Sequence, residues 1–167
     1  MRTALAVNNP KDSASSGDKR ITLDSVEDSI GSVLENKVAG LYDTASLIDS
    51  QDFRCVVELL RNADLILIAA VGNTITTGMN AAFKFEQAGV RTSCPTSTEA
   101  MTSAAVNLTD KDVLLALTTS GYSKRLVSIF DSAEDASAPI VMVTDNPETP
   151  LALRADHVIR ATVRDKI

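Results

Sequence analysis

One histidine, two cysteines and an excess of acidic over basic residues are the first scarcities of this sequence, and each removes a class of function. Cys55 and Cys94 lack the paired spacing of a metal site or a redox motif, so no metal and no cofactor are expected. Two isolated thiols fit a reduced, cytoplasmic setting. The formal charge of −6 makes the chain a poor non-specific partner for DNA or an anionic membrane surface. Any anion site must therefore be built locally, from backbone N–H groups and hydroxyls. No apolar run approaches the ~20 residues of a membrane-spanning helix. The opening "MRTALAV" is too short in its apolar part for a signal peptide. There is no internal repeat long enough for a solenoid.

What is present alternates. After a polar stretch over residues 8–20, taken with residues 1–7 as a flexible lead-in, a helical period runs through Val26, Ile30, Val33, Leu34, Val38, Leu41, Ala45 and Ile48. A second helix follows, capped by Ser50 or Asp52, with Phe53, Val56, Val57 and Leu60 on its buried side. Then come apolar runs separated by helical periods. "DLILIAA", "VRTSC", "DVLLALT", "APIVMVTD" and "HVIRAT" read as strands. "ITTGMNAAFKFEQAG", closed by Gly89, reads as a helix, and so does "STEAMTSAAVNL", opened by a Thr96–Glu99 capping box. "SKRLVSIFDSAEDA" is a third, with Leu126, Val127, Phe130 and Ala133 inward, and "PLALRA" a turn or two. This alternation predicts an α/β fold: a three-layer, doubly wound, five-stranded parallel sheet of flavodoxin-like order 2-1-3-4-5, with an N-terminal helical extension.

In such a sheet ligands bind past the carboxyl ends of the strands, where the strand order reverses, here between strands 1 and 3. The two loops that should meet there are "AVGNTITTG" and "TTSGYS". Both carry glycine, which allows close backbone approach, and several hydroxyls, and both open a helix whose first N–H groups are unpaired. Together they describe a phosphate cradle. The alternative is an ordinary strand-to-helix turn with Ser/Thr caps.

Three pattern matches are set aside. Cys55 to Arg61 fits Cys-x5-Arg, but "CVVELLR" has a helical period and cannot form a phosphate loop. "AVGNTITTG" is not G-x-G-x-x-G, and "VRTSC" lacks the acidic residue of a dinucleotide fold. Ser120, Asp145 and His157 occur in hydrolase-triad order, but "TTSGY" is not G-x-S-x-G, and His157 heads a strand, where a structural or surface role fits better.

The same loops resemble those of SIS (sugar isomerase) domains. "AVGNTITTG" is similar to the family's first loop, and "TTSGYSK" to its Ser-x-Ser-Gly-x-Thr signature, with Thr118 and Ser123 as conservative variants. "VTDNPETPLALRADHVI" resembles its closing segment, and the likeness covers about residues 22–162. "NKVAGLYDTASLID" and "AVGNTITTGMNAAFKFEQAG" resemble most the effector-binding domains of RpiR-type transcriptional regulators. The resemblance implies a phosphosugar-binding domain over residues 21–167. Its ligand contacts would be Gly72, Asn73 and Thr74 in the first loop, and Thr118, Thr119, Ser120, Gly121 and Ser123 in the second. Glu99 and Lys124 are further candidate contacts, and Arg125 could also reach an anionic group.

Family isomerases often carry Thr-Lys-Glu after the signature; here it is Ser123-Lys124-Arg125, so an acidic candidate has become basic. That departure leans toward a sensor with no catalytic residue; the alternative is an aldose–ketose sugar-phosphate isomerase. The implied partners are a sugar phosphate and a second copy or more of the chain, a homodimer or tetramer, because the Val26–Ile48 stripe is longer than one sheet face needs. No membrane is expected, and DNA only through a helix-turn-helix domain that these residues do not include. The helix that usually follows the family's last strand is not recognised either. Whether the chain is an isolated domain or a naturally shortened protein stays open at this point.

Overall fold

Continuous apolar runs become strands covered on both faces in the computed structural model, which describes residues 26–162. The expected lead-in, residues 1–20, lies outside the described residues. Helices α1 (Val26–Leu47) and α2 (Ser50–Asn62) precede the alternating part. That part runs β1 (Ile66–Ala70), α3 (Thr74–Gln87), β2 (Thr92–Ser93), α4 (Thr98–Ala105), β3 (Val113–Leu117), α5 (Lys124–Asp135), β4 (Ile140–Thr144), a 3-10 turn (Ala152–Arg154) and β5 (His157–Arg160). All strand pairs are parallel and the sheet order is β2-β1-β3-β4-β5, as expected. The strand order reverses between β1 and β3, which pair along their whole length from Ile66 opposite Val113 to Ala70 opposite Leu117.

Side-chain alternation divides the core into two layers. Leu67, Ala69, Leu114 and Ala116 face α4, α5 and the 3-10 turn, against Met101, Leu126, Ile129 and Phe130. Ile66, Ile68, Val113 and Leu115 face α2 and α3, against Val56, Leu60 and Phe85. Gly89 closes α3 at φ +81°, with Gly89 N–H donating to the Glu86 carbonyl and Val90 N–H to that of Phe85. Arg154 binds Glu134 and Asp131 at 2.6–2.8 Å and lies over the Phe130 ring, tying the 3-10 turn to α5. Those two carboxylates raise its pKa further above the ordinary range, against a smaller lowering by burial.

Several local expectations are corrected. Asp49 caps α2, accepting from Gln51 and Asp52 N–H at 2.9 Å, rather than Ser50 or Asp52. Phe53 and Val57 are exposed, because α2 turns Val56, Leu59 and Leu60 to the sheet and Val57 stands about 100° around the helix from Val56. Ser97, not Thr96, caps α4 and accepts from Ala100 N–H, so Glu99 becomes the helix's second residue and closes no capping box. β2 pairs over two residues only; Pro95, which has no N–H to donate, follows closely.

The long first stripe does not pack on the sheet. Gly40 is the one buried residue of α1, whereas Val26, Ile30, Val33, Leu34, Val38 and Leu41 are exposed. The helix is held near its C-terminal end, where Thr44 Oγ1 donates to the Gly40 carbonyl and accepts from Thr162 N–H at 3.0 Å. Among the described residues no helix is long and apolar enough to cross a membrane.

Candidate functional site

The loops after β1 and β3 meet past the carboxyl ends of their strands and enclose a cleft of about 400 Å³. Val71, Gly72, Asn73 and Thr74 line one side; Thr118, Thr119, Ser120, Tyr122, Ser123 and Arg125 line the other. Seven of the eight expected contacts are thus brought together. The eighth, Gly121, shapes the second loop from behind. It is buried at φ +74°, and a Cβ there would collide with the Asn146 carbonyl and the Thr149 side chain. Thr149 Oγ1 donates to the Gly121 carbonyl, which clamps the loop onto the segment after β4. Glu99 and Lys124 do not line the cleft.

The hydroxyls are not equivalent. Thr74 Oγ1 accepts from Val71 N–H at 3.1 Å and lies 2.9 Å from both the Val71 and Leu117 carbonyls. It staples the two loops rather than presenting a free donor. Asn73, the residue before α3, makes no side-chain cap. Thr118 is buried, with Oγ1 3.4 Å from Ser120 Oγ. Ser120 in turn donates to the Tyr122 carbonyl at 3.0 Å from an exposed position, where its hydroxyl is free to rotate toward a ligand. Ser123 caps α5 by accepting from Arg125 N–H, which leaves its own O–H available. Among the described residues, nothing hydrogen-bonds to the N–H groups of Gly72, Asn73, Thr119, Ser120 or Gly121.

The electrostatics are one-sided. Among the described residues, no Asp or Glu lines the cleft. The first turns of α1, α2 and α4 carry an acidic residue, as helix N-termini favour; those of α3 and α5, which open on the cleft, carry none. A depression of similar size, about 450 Å³, lies at the amino ends of the strands. Glu58, Asp64, Asp110 and Asp112 line it and would repel a phosphate. His157 lies there too, 2.6 Å from Asp52 and at the opposite end of the sheet from Ser120, so the hydrolase order does not assemble. Cys55 and Arg61 lie on helix α2, as their spacing predicts. Tyr122 and the Thr149 clamp went unread in the sequence. Tyr122 occupies the variable position of the signature, and Thr149 acts from 28 residues away.

A parallel sheet that presents a donor-rich cleft where its strand order reverses defines an α/β ligand-binding domain. The chain belongs to the SIS domain family, whose sequence model matches residues 59–167. It is similar in structure to the Vibrio vulnificus NanR protein solved with ManNAc-6P, at 24% identity and a TM-score of 0.76, over 81% of this chain and 52% of that one. The chain therefore spans about half the length of the Vibrio protein. It is similar also to the sugar isomerase domain of an RpiR transcription factor from Sphaerobacter thermophilus (22% identity, TM-score 0.75, 80% of this chain and 75% of that). A phosphoheptose isomerase from Francisella tularensis matches at 18% identity and a TM-score of 0.71, over 84% and 88% of the two chains. At these identities the likeness is one of fold.

Proposed function

We propose that the cleft binds the phosphate of a sugar phosphate reversibly, and that the domain, placed at residues 21–167, is the sensing part of an RpiR-type transcriptional regulator, with DNA contact made by a separate helix-turn-helix domain. The observation that carries the sensor reading is that no carboxylate is found among the described residues that line the cleft. Aldose–ketose isomerisation needs a group that moves a proton between neighbouring carbons, and no Asp, Glu or His is found among the described residues that line the cleft. The free N–H groups of Thr119 and Ser120, with the Ser123 hydroxyl, suit an anion that is held and released unchanged. SIS membership and the ManNAc-6P complex of the similar Vibrio protein favour a sugar phosphate over other anions.

Closure of the two loops on a phosphate would order the starts of α3 and α5, and a helix-bearing surface between copies of the chain would shift with it. The likeness to the Francisella isomerase favours a second reading, turnover of a sugar phosphate. Thermal unfolding across a panel of sugar phosphates tests binding, since a ligand at 100 times its Kd adds about 2.7 kcal/mol. Recovery of each ligand unchanged supports a sensor; formation of an aldose–ketose product supports the enzyme.

A further inference from the structure

Among the described residues, Arg125 is the one charged side chain that lines the cleft. Its setting differs from that of the other arginine described above. Arg154 makes three bonds to Glu134 and Asp131 across the flank of α5. Arg125, in the first turn of the same helix, makes no side-chain hydrogen bond or ion pair with any described residue. It stands at the helix end that carries positive partial charge, where a cation is disfavoured. An anion in the cleft relieves that cost. The phosphate does not require it, because the cleft-lining residues of the β3 loop already offer neutral donors without a partner among the described residues: the N–H groups of Thr119 and Ser120 and the hydroxyl of Ser123. A guanidinium is a planar fork that matches the two oxygens of a carboxylate.

Resting on the reading of the cleft as a phosphosugar site, we infer that its ligand is the phosphate of a sugar acid, with the phosphate in the β3 loop and a carboxylate paired to Arg125. Arg125 is then the residue that selects acidic over neutral phosphosugars, from the position where the family's isomerases often have an acid.

The test is calorimetry with matched ligands that differ only at carbon 1. 6-Phosphogluconate and sorbitol 6-phosphate form one pair, 4-phosphoerythronate and erythritol 4-phosphate a smaller one. The wild-type chain is expected to prefer the acid of a pair by about 10- to 100-fold, the range of a charge-assisted hydrogen bond. Arg125→Gln is expected to erase that preference while keeping the affinity for the neutral partner, and Arg125→Lys to keep part of it. Equal weakening of both partners by Arg125→Gln would place the guanidinium on the phosphate and overturn the inference. So would a wild-type chain without preference, or one that binds only neutral sugar phosphates; in these cases the phosphosugar reading stands. If no phosphorylated sugar binds, that reading falls and the inference with it.

Discussion

Thr74 Oγ1 lies 2.9 Å from the carbonyl oxygen of Leu117, so one hydroxyl joins the loop after β1 to the end of β3, 43 residues later. Thr74→Val keeps the shape but leaves the Leu117 carbonyl and the Val71 N–H without this partner. A loss of about 0.5–1.5 kcal/mol in unfolding free energy is expected, the net range for a hydrogen bond at a part-buried position. Thr74→Ser should restore most of it. Urea titration of the three proteins checks this, and equal midpoints would show that the staple contributes nothing.

Ser120→Ala should act on affinity instead. The exposed Ser120 hydroxyl meets only the Tyr122 carbonyl and the Thr118 hydroxyl, so little folding energy rests on it. A hydrogen bond to a charged group is worth roughly 1.5–3 kcal/mol, so sugar-phosphate binding should weaken about 10- to 100-fold. Wild-type affinity by calorimetry in a folded Ser120→Ala protein would reduce the hydroxyl cluster to a turn.

Two glycines of the cleft loops should respond differently to substitution. Both have positive φ, +62° at Gly72 and +74° at Gly121. A Cβ at Gly72 meets open space, and asparagine tolerates this conformation, so Gly72→Asn should cost less than about 1 kcal/mol. Gly121→Asn must also displace the Asn146 carbonyl and Thr149, adding roughly 1–3 kcal/mol of overpacking. Thermal melts rank the pair; similar melting temperatures would contradict the close contact.

The cysteines should label in sequence. Cys55 is exposed, whereas Cys94 is partly covered beside Gly78, where burial pushes its thiol pKa up. Since the thiolate is the reactive form, iodoacetamide should modify Cys55 first at pH 8, with Cys94 following at higher pH. Time-resolved mass spectrometry reads the order, and simultaneous labelling would count against it.

The apolar face of α1 carries an expectation of assembly. Ile30 and Leu34, one turn apart, are 64% and 62% exposed. Sedimentation of the full chain at micromolar concentration should give a homodimer or larger species, and Ile30→Asp with Leu34→Asp should shift it toward monomer. A wild-type monomer would refute the proposal.

The two central strands, β1 and β3, were readable because their runs are apolar without interruption: "ILIAA" and "VLLAL" are buried at every position. The cleft loops were readable because hydroxyls and glycine gather where a strand gives way to a helix. Other features depend on choices between equivalent neighbours. Thr96 and Ser97 can both cap α4, and backbone geometry favours Ser97. Lys124 and Arg125 differ by one step of helix phase, which brings only Arg125 to the cleft. The engagement of Thr74 with a carbonyl on another strand has no local signature. The outward face of α1 reflects the lack of a packing partner among the described residues, which periodicity cannot report.

The pairing of β1 with β3 brings Ile66 beside Val113 across a long stretch of intervening chain. Neither loop alone is a cleft, so the cleft exists only once α3, β2 and α4 have folded into the crossover between them. Such closures are paid for in chain entropy before they are rewarded, and they come late. A ligand of this cleft should therefore hold on to the native state without helping to reach it. Its stabilisation should appear as slower unfolding, with the refolding rate left as it was.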